Sequence, residues 1–385
     1  MPRIYLDNAA TTRLDDEVLQ AMLPLMTENF GNPSSIHAHG RQVRSAIERA
    51  RKTIATLLSA SPSEIFFTSG GTEADNTAIT CSIDTYQLKH AITSPTEHHA
   101  VLHTLEHLAK QGIIELSYVK LNEKGQVDVA HLEELLRTKP RTLVSLMHGN
   151  NEIGNLIDLK QISEICKKYN AIFHSDTVQT MGHYTHNLQD LNIDFIVGAA
   201  HKFHGPKGVG FLYINANNKI HPFIHGGSQE RNMRGGTENV YGIVGMAKAL
   251  EIAYRDMEAH QNHIKGLKTR MIEKLTANIP GITFNGDSAN VDNSLYTVLS
   301  VSFPPSSDND MLLFNLDIAQ ISCSSGSACS SGTDVGSHVL GALNVHPDRG
   351  NVRFSFGKYN TEEEIDKVID VLTEIYAKKV LAPNP

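Results

Sequence analysis

Between about residue 40 and residue 215, short runs of β-branched and aromatic side chains alternate with amphipathic stretches of helical length. Few folds accommodate that alternation. Strands are expected at 64–67, 91–94, 115–119, 143–147, 171–175, 194–198 and 210–214, with helices at 72–89, 100–110, 131–137 and 159–169. The pattern specifies an α/β domain around a mostly parallel, seven-stranded sheet. Residues 239–278 read as largely helical. Beyond Ile279 the order changes to a strand at 296–303, a helix at 308–316, strands at 320–323 and 351–356 and a helix at 361–377. We therefore expect a large domain over 15–260 and a smaller α+β domain made of 261–385 with the N-terminal segment 1–14.

Composition narrows the functions available. A chain of 385 residues with 40% hydrophobic content can bury a large core. Its net charge of −8, without a lysine/arginine block, disfavours nucleic-acid and acidic-membrane partners. No apolar run approaches the roughly 18–20 residues that span a bilayer. The start, Met1-Pro2-Arg3-Ile4-Tyr5-Leu6-Asp7-Asn8, lacks the apolar core of a secretory signal, so a cytoplasmic protein is expected. Four cysteines, Cys81, Cys166, Cys323 and Cys329, do not make a disulfide framework in such a chain.

Ligands of open α/β sheets gather at the carboxyl ends of the strands, and the chemically informative residues fall there. Gly70-Gly71-Thr72 follows the 64–67 strand and opens a helix. The glycines let backbone N–H groups approach an anion, which suits a phosphate, while Thr72 and Asp75 have the spacing of a capping box. A bound phosphate and a simple capped turn both fit. Asp176 ends the 171–175 strand, where it can pair with a protonated ring nitrogen or cap the next segment. Lys202 follows the next strand. The roughly 26 residues between them suffice for one crossover between neighbouring parallel strands. A lysine near a phosphate cradle and an acid fits a pyridoxal phosphate Schiff base. Lys207, after a Gly-Pro turn, reads as a solvated surface lysine.

Three further segments stand out. Thr96-Glu97-His98-His99 offers an imidazole able to stack on a planar ring and move protons near neutral pH. The row His99, His103, His107 reads as solvated helix histidines rather than a metal stripe, and no resident metal is expected. Arg353 alternates with apolar residues on a strand; its forked guanidinium suits a carboxylate, and a solvent-facing arginine fits equally. Cys329 lies in Ser324-Ser325-Gly326-Ser327-Ala328-Cys329-Ser330-Ser331-Gly332, small residues suited to a mobile arm carrying a reactive thiol. Cys323, beside Ile318 and Ile321, is the better candidate for the core.

In order and spacing, these segments resemble the NifS/IscS-type cysteine desulfurases, pyridoxal-phosphate enzymes of the class V aminotransferase group. The resemblance runs through Tyr5–Thr12, Gly31–Ser35, Thr68–Asn76, Thr96-Glu97-His98, Asn150–Gly154, His201-Lys202, Gly235–Asn239 and Ser324–Cys329. It implies the fold type I of pyridoxal-phosphate transferases. It also implies that Lys202 holds the cofactor and moves the substrate Cα proton, that Asp176 holds the pyridine nitrogen, and that His98 stacks on the ring. Asn151 and Gln179 would contact the ring side, Asn151 also facing substrate. Gly71, Thr72 and His201 would bind the phosphate, and Thr237 would reach it from a second subunit of a homodimer. Arg353 would receive the carboxylate of L-cysteine, and Cys329 would attack its sulfur, leaving L-alanine and a persulfide for an acceptor protein in iron–sulfur assembly or tRNA thiolation. A transient bond from Cys329 to iron on a scaffold is the one metal contact the resemblance leaves open.

Three positions depart from the pattern. Ala199 replaces a serine that donates to the phosphate, a bond worth roughly 1.5–3 kcal/mol. Cys323 adds a second thiol able to relay a persulfide. The sequence ends at Pro385 without the longer tail through which IscS-type members dock a scaffold. The alternatives are another class V activity, such as selenocysteine lyase, or a non-catalytic interaction platform that has kept the fold.

Overall fold

A computed structural model describes residues 3–139, 141–307, 309–326 and 336–377. In chain order, β1 (Ile4–Tyr5) precedes helices α1 (Asp16–Thr27) and α2 (Ala38–Leu57). Then come β2 (Ile65–Thr68), α3 (Gly71–Tyr86), β3 (His90–Thr93), α4 (His99–Lys110), β4 (Glu115–Tyr118) and α5 (Val129–Thr138). They are followed by β5 (Leu143–Ser145), α6 (Leu159–Lys168), β6 (Ile172–Asp176), β7 (Phe195–Ala199) and β8 (Gly210–Ile214). Helices α7 (Val240–Arg255) and α8 (Met257–Asn278) lead to β9 (Thr283–Phe284), β10 (Val298–Phe303), α9 (Leu312–Ile318), β11 (Ile321–Ser322), α10 (His338–Ala342), β12 (Gly350–Ser355) and α11 (Glu362–Ala377).

Seven strands form one sheet in the order β2-β8-β7-β6-β5-β3-β4. Only β8 runs against its neighbours, so β2 points the same way as the rest and all their carboxyl ends share one edge. The central strands are buried along their whole length, β6, β7 and β8 at every residue. Such runs need helices on both faces. Val18, Ile47, Ile54 and Phe173 belong to one apolar cluster, and Ala78, Val101, Leu105 and Phe195 to another. Local signals start the helices: Asp158 accepts from the N–H groups of Lys160 and Gln161 at α6.

A three-stranded antiparallel sheet, β12-β10-β9, carries the third cluster, in which Leu299, Val352 and Phe354 meet Leu267, Met271 and Leu372. Burying each phenylalanine there contributes about 1.5–3 kcal/mol. β1 pairs in parallel with β11, and Ile4 and Leu6 join this same cluster. The N-terminal segment is thereby attached to the C-terminal part.

The expected elements are present with ends moved by one to three residues, and some differ more. The 239–278 stretch breaks at Asp256 into two helices. The 308–316 helix is the short α9 preceded by a single tight turn at Asn309–Met311, and the 320–323 strand shrinks to two residues. The capping box at Thr72 and Asp75 is overturned. α3 begins at Gly71 with Gly70 as its uncapped boundary, so Thr72 already lies inside the helix. Asp75 is buried and faces His174 instead of turning back to the helix end.

Candidate active site

The shared carboxyl edge opens into a cleft of about 200 Å³. Gly71 and Thr72 enter it from the turn after β2, His98 from the turn after β3, and Asn151 from the segment after β5. Asp176 and Gln179 come from the end of β6, His201 and Lys202 from the end of β7, and Arg353 from β12. Nine residues singled out in the sequence thus line one space. Thr237 does not: it is exposed and lines a separate hollow with Ser69 and Gly208. Cys329 lies outside the described residues.

β6 and β7 are hydrogen-bonded parallel neighbours, with Asp176 opposite Val197, so Asp176 and Lys202 leave adjacent strand ends. Asp176 is 5% exposed, and its Oδ1 accepts from the Val178 N–H at 2.8 Å. Burial pushes its carboxyl up, against the opposing pull of His98, the Val178 N–H and Lys202. Burial pushes His98 down while Asp176 opposes the shift. The His98 Nδ1 accepts from the Ala100 N–H at 3.1 Å, which caps α4 and leaves the Nε2 edge for the cleft. Lys202 Nζ donates to the carbonyls of Ala9 and Ala10, the latter at 3.0 Å. Gln179 Nε2 also donates to Ala9, at 3.0 Å. Burial, with help from Lys202 and Lys207, pushes His201 down to about 4.

Arg353 is 1% exposed, so the solvent-facing alternative is excluded. Its Nη2 donates to Asp7 Oδ1 at 2.7 Å and its Nη1 to the Asn151 carbonyl at 3.1 Å, while Nε is buried without a hydrogen-bond partner among the described residues. Buried donors are rarely left unmade, and a carboxylate in the cleft supplies such an acceptor. Cys323 is partly buried, and burial pushes its thiol up to about 12, so the thiolate is scarce. Lys207 is exposed, as expected.

Pyridoxal phosphate fits these residues. A Cβ on Gly71 would stand 2.8 Å from Val178 Cγ2, so only glycine leaves that space clear at the helix start. Among the described residues no side chain caps the N–H groups of α3 there, and such uncapped donors favour an anion. A cationic ring nitrogen would give buried Asp176 the opposite charge that compensates its lost hydration. Ala199 lines the cleft without a hydroxyl.

The sequence reading missed several participants. Asp7 anchors Arg353, and the carbonyls of Ala9 and Ala10 hold Lys202. Both sit in the Tyr5–Thr12 motif, so only their roles went unread. Glu152 had no assigned role either. Ser337 Oγ donates to Glu152 Oε2, and a Cβ on Gly326 would lie 2.9 Å from that oxygen and 3.1 Å from Ser337 Cβ. The two described ends flanking Cys329 therefore meet beside Asn151.

Comparison with known proteins adds independent information. The family described as Aminotransferase class-V matches residues 4–368. A curated protein from Dictyoglomus turgidum named cysteine desulfurase IscS is 45% identical over 380 residues, covering 97% of this chain and 95% of that one. A solved structure of a NifS-like protein superposes with a TM-score of 0.88 at 38% identity, covering 98% of this chain and 100% of the other. A structure of SspA in complex with cysteine gives 0.80 at 31% identity, covering 93% of this chain and 100% of that one.

Proposed function

The chain belongs to the aminotransferase class-V family as a pyridoxal-phosphate-dependent cysteine desulfurase of the NifS/IscS type, and on that premise we propose that Cys329 carries the sulfur as a persulfide. Neither alternative, another class V activity or a non-catalytic platform, is favoured by these relatives. The observation that carries the assignment of roles is the cleft at the carboxyl edge, where Lys202, Asp176, His98 and Arg353 converge.

Bound pyridoxal phosphate supplies an aldehyde that captures an amine and a cationic ring that draws electrons from the attached carbon. Asp176 would accept the ring N–H and keep the ring protonated. Gly71, Thr72 and His201 would hold the phosphate, and His98, Asn151 and Gln179 would line the ring. Arg353 receives the cysteine carboxylate through its fork and buried Nε. Lys202 moves the Cα proton. The Cys329 thiolate then attacks the substrate sulfur: an S–S bond forms, the Cβ–S bond breaks, and its electron pair stays with the carbon skeleton, which takes up a proton. L-cysteine and one thiol become L-alanine and one persulfide. Gly326, three residues before Cys329 in the sequence, lies beside Glu152, the chain neighbour of the cleft residue Asn151, which supports this role.

Other readings extend the proposal. Thr237 faces away from its own cleft, and Leu19, Leu23 and Met26 on α1, with Phe30 and Ile36, expose apolar surface. Both features support a homodimer in which Thr237 reaches the partner subunit's phosphate. The separate apolar cluster of the three-stranded sheet supports the division into 15–260 and 1–14 with 261–385. An acceptor protein, such as an iron–sulfur scaffold, would take the sulfur. Cys81, Cys166 and Cys323 are all unpaired thiols, which supports a cytoplasmic setting; among the described residues no helix is long and apolar enough to cross a membrane. Cys329→Ser tests the central role. It should lose persulfide formation and alanine turnover while keeping the absorbance band of the bound cofactor; undiminished sulfur release would reject the assignment.

A further inference from the structure

Lys202 sits in a single tight turn, Ala200–Lys202, directly after β7, with no side-chain cap of its own. Backbone bonds from Phe203 and Gly205 to the Ala200 carbonyl close the turn, and two side chains hold it from outside. On one side Thr12 donates through both N–H and Oγ1 to the His201 carbonyl, each at 2.9 Å, and Thr12 Oγ1 accepts from the His204 N–H at 2.8 Å. On the other side stands His183. Its Nε2 lies 3.2 Å from the Lys202 carbonyl oxygen, and its Nδ1 lies 3.0 Å from the Tyr296 hydroxyl. The His183 carbonyl accepts from Gln261 Nε2 at 2.7 Å, tying the residue to α8.

We propose that His183 is a positioning residue for Lys202, its ring N–H fixing the lysine's backbone carbonyl while Tyr296 fixes the ring.

The hydrogen bonds determine the tautomer. A carbonyl only accepts, so Nε2 carries the proton; Nδ1 of the neutral ring then accepts from the Tyr296 hydroxyl, which lies nearer to it, at 3.0 Å, than to the His183 carbonyl, at 3.3 Å. Burial pushes His183 down to about 4, in keeping with a neutral ring. The Tyr296 ring is itself buried and packs edge-on to the imidazole, with centroids 5.8 Å apart. A lysine that must move a proton at a substrate carbon needs its root held. Proton transfer requires heavy atoms within about 2.6–3.2 Å, and a misplacement of about 1 Å can cost 10²-fold in rate. With the 201–204 backbone held from both sides, only the lysine's own side-chain torsions carry Nζ between the Ala9 and Ala10 carbonyls and the substrate.

The inference rests on Lys202 being the group that moves the proton. The test compares holoenzyme variants. His183→Phe removes both ring hydrogen bonds and should lower kcat by ~10-fold, with the KM for cysteine unchanged within about twofold. The isotope effect with Cα-deuterated cysteine should rise as proton transfer becomes limiting. The pH midpoint of the bound cofactor's absorbance band, which does not depend on turnover, should also move. His183→Gln retains a donor and an acceptor and should restore these readouts towards wild type; Tyr296→Phe should shift them in the same direction by less. A folded His183→Phe protein with unmoved isotope effect and absorbance midpoint overturns the proposal, as does a Gln variant as impaired as Phe. If His183→Phe does not fold, Tyr296→Phe decides on the same two readouts. Survival of the absorbance band in Lys202→Ala would instead sink the lysine reading itself, whatever His183 does.

Discussion

Lys202 and Lys268 occupy two regions with opposite uses for a lysine withdrawn from water. Lys202 stands at the carboxyl edge of the seven-stranded sheet, in the cleft that also holds Asp176, His98 and Arg353. Lys268 is 0% exposed within α8, where Nζ donates to Ser294 Oγ at 2.9 Å and to the Leu295 carbonyl at 2.7 Å. Burial pushes Lys268 down to about 7, with no carboxylate among its hydrogen-bond partners in the described residues. Burial alone therefore does not make a site. Lys202 is distinguished by an open cleft and by the buried carboxylate of Asp176 at the adjacent strand end.

The comparison breaks most visibly at Lys202. Lys202→Ala should lose the cofactor absorbance band and reduce desulfuration by ~10³-fold or more, as removing a group that acts in both capture and proton transfer does; absorbance spectra and alanine production check both. Arg353→Lys keeps the charge but loses the fork. It should raise the cysteine KM by roughly 10- to 100-fold, the equivalent of about 1.5–3 kcal/mol, with a smaller change in kcat, measured by steady-state kinetics. At Lys268 the effect is on stability alone.

Lys268 titrates near 7 in the folded chain and near 10.5 when unfolded. Between those values the unfolded chain binds the extra proton, so stability rises with pH and is lost as pH falls toward 7. Lys268→Met lacks this term. From pH about 7 to about 9 wild type should gain on the variant by up to about 1.4 kcal/mol per pH unit, read from denaturant melts at each pH. Desulfuration by the variant should change little. A flat difference across that range would show that Lys268 stays charged.

Much of this contrast was legible in the sequence because it follows from local periodicity. Asp176 and Lys202 end successive apolar runs separated by one crossover, and parallel neighbours bring those ends together. Lys268 gave no such signal. It is one of three lysines on α8, and its burial depends on the 294–295 segment that covers it. Arg353 was ambiguous for a similar reason, since its partner Asp7 lies 346 positions away in the chain. Thr72 misled because its spacing to Asp75 matches a cap, whereas Gly70 and Gly71 had already started the helix and burial turned Asp75 toward His174. The pairing of β2 with β8, far apart in sequence and antiparallel, left no local mark.

The account turns on which thiol receives sulfur. Mass spectrometry of peptides from the protein after exposure to L-cysteine, under non-reducing conditions, tests this directly. Both thiols fall on one peptide, so its fragment ions must place the added sulfur; one sulfur atom is expected on Cys329 and none on Cys323, whose thiol is held protonated. Sulfur on Cys323 alone, or alanine production with no persulfide on Cys329, would contradict it.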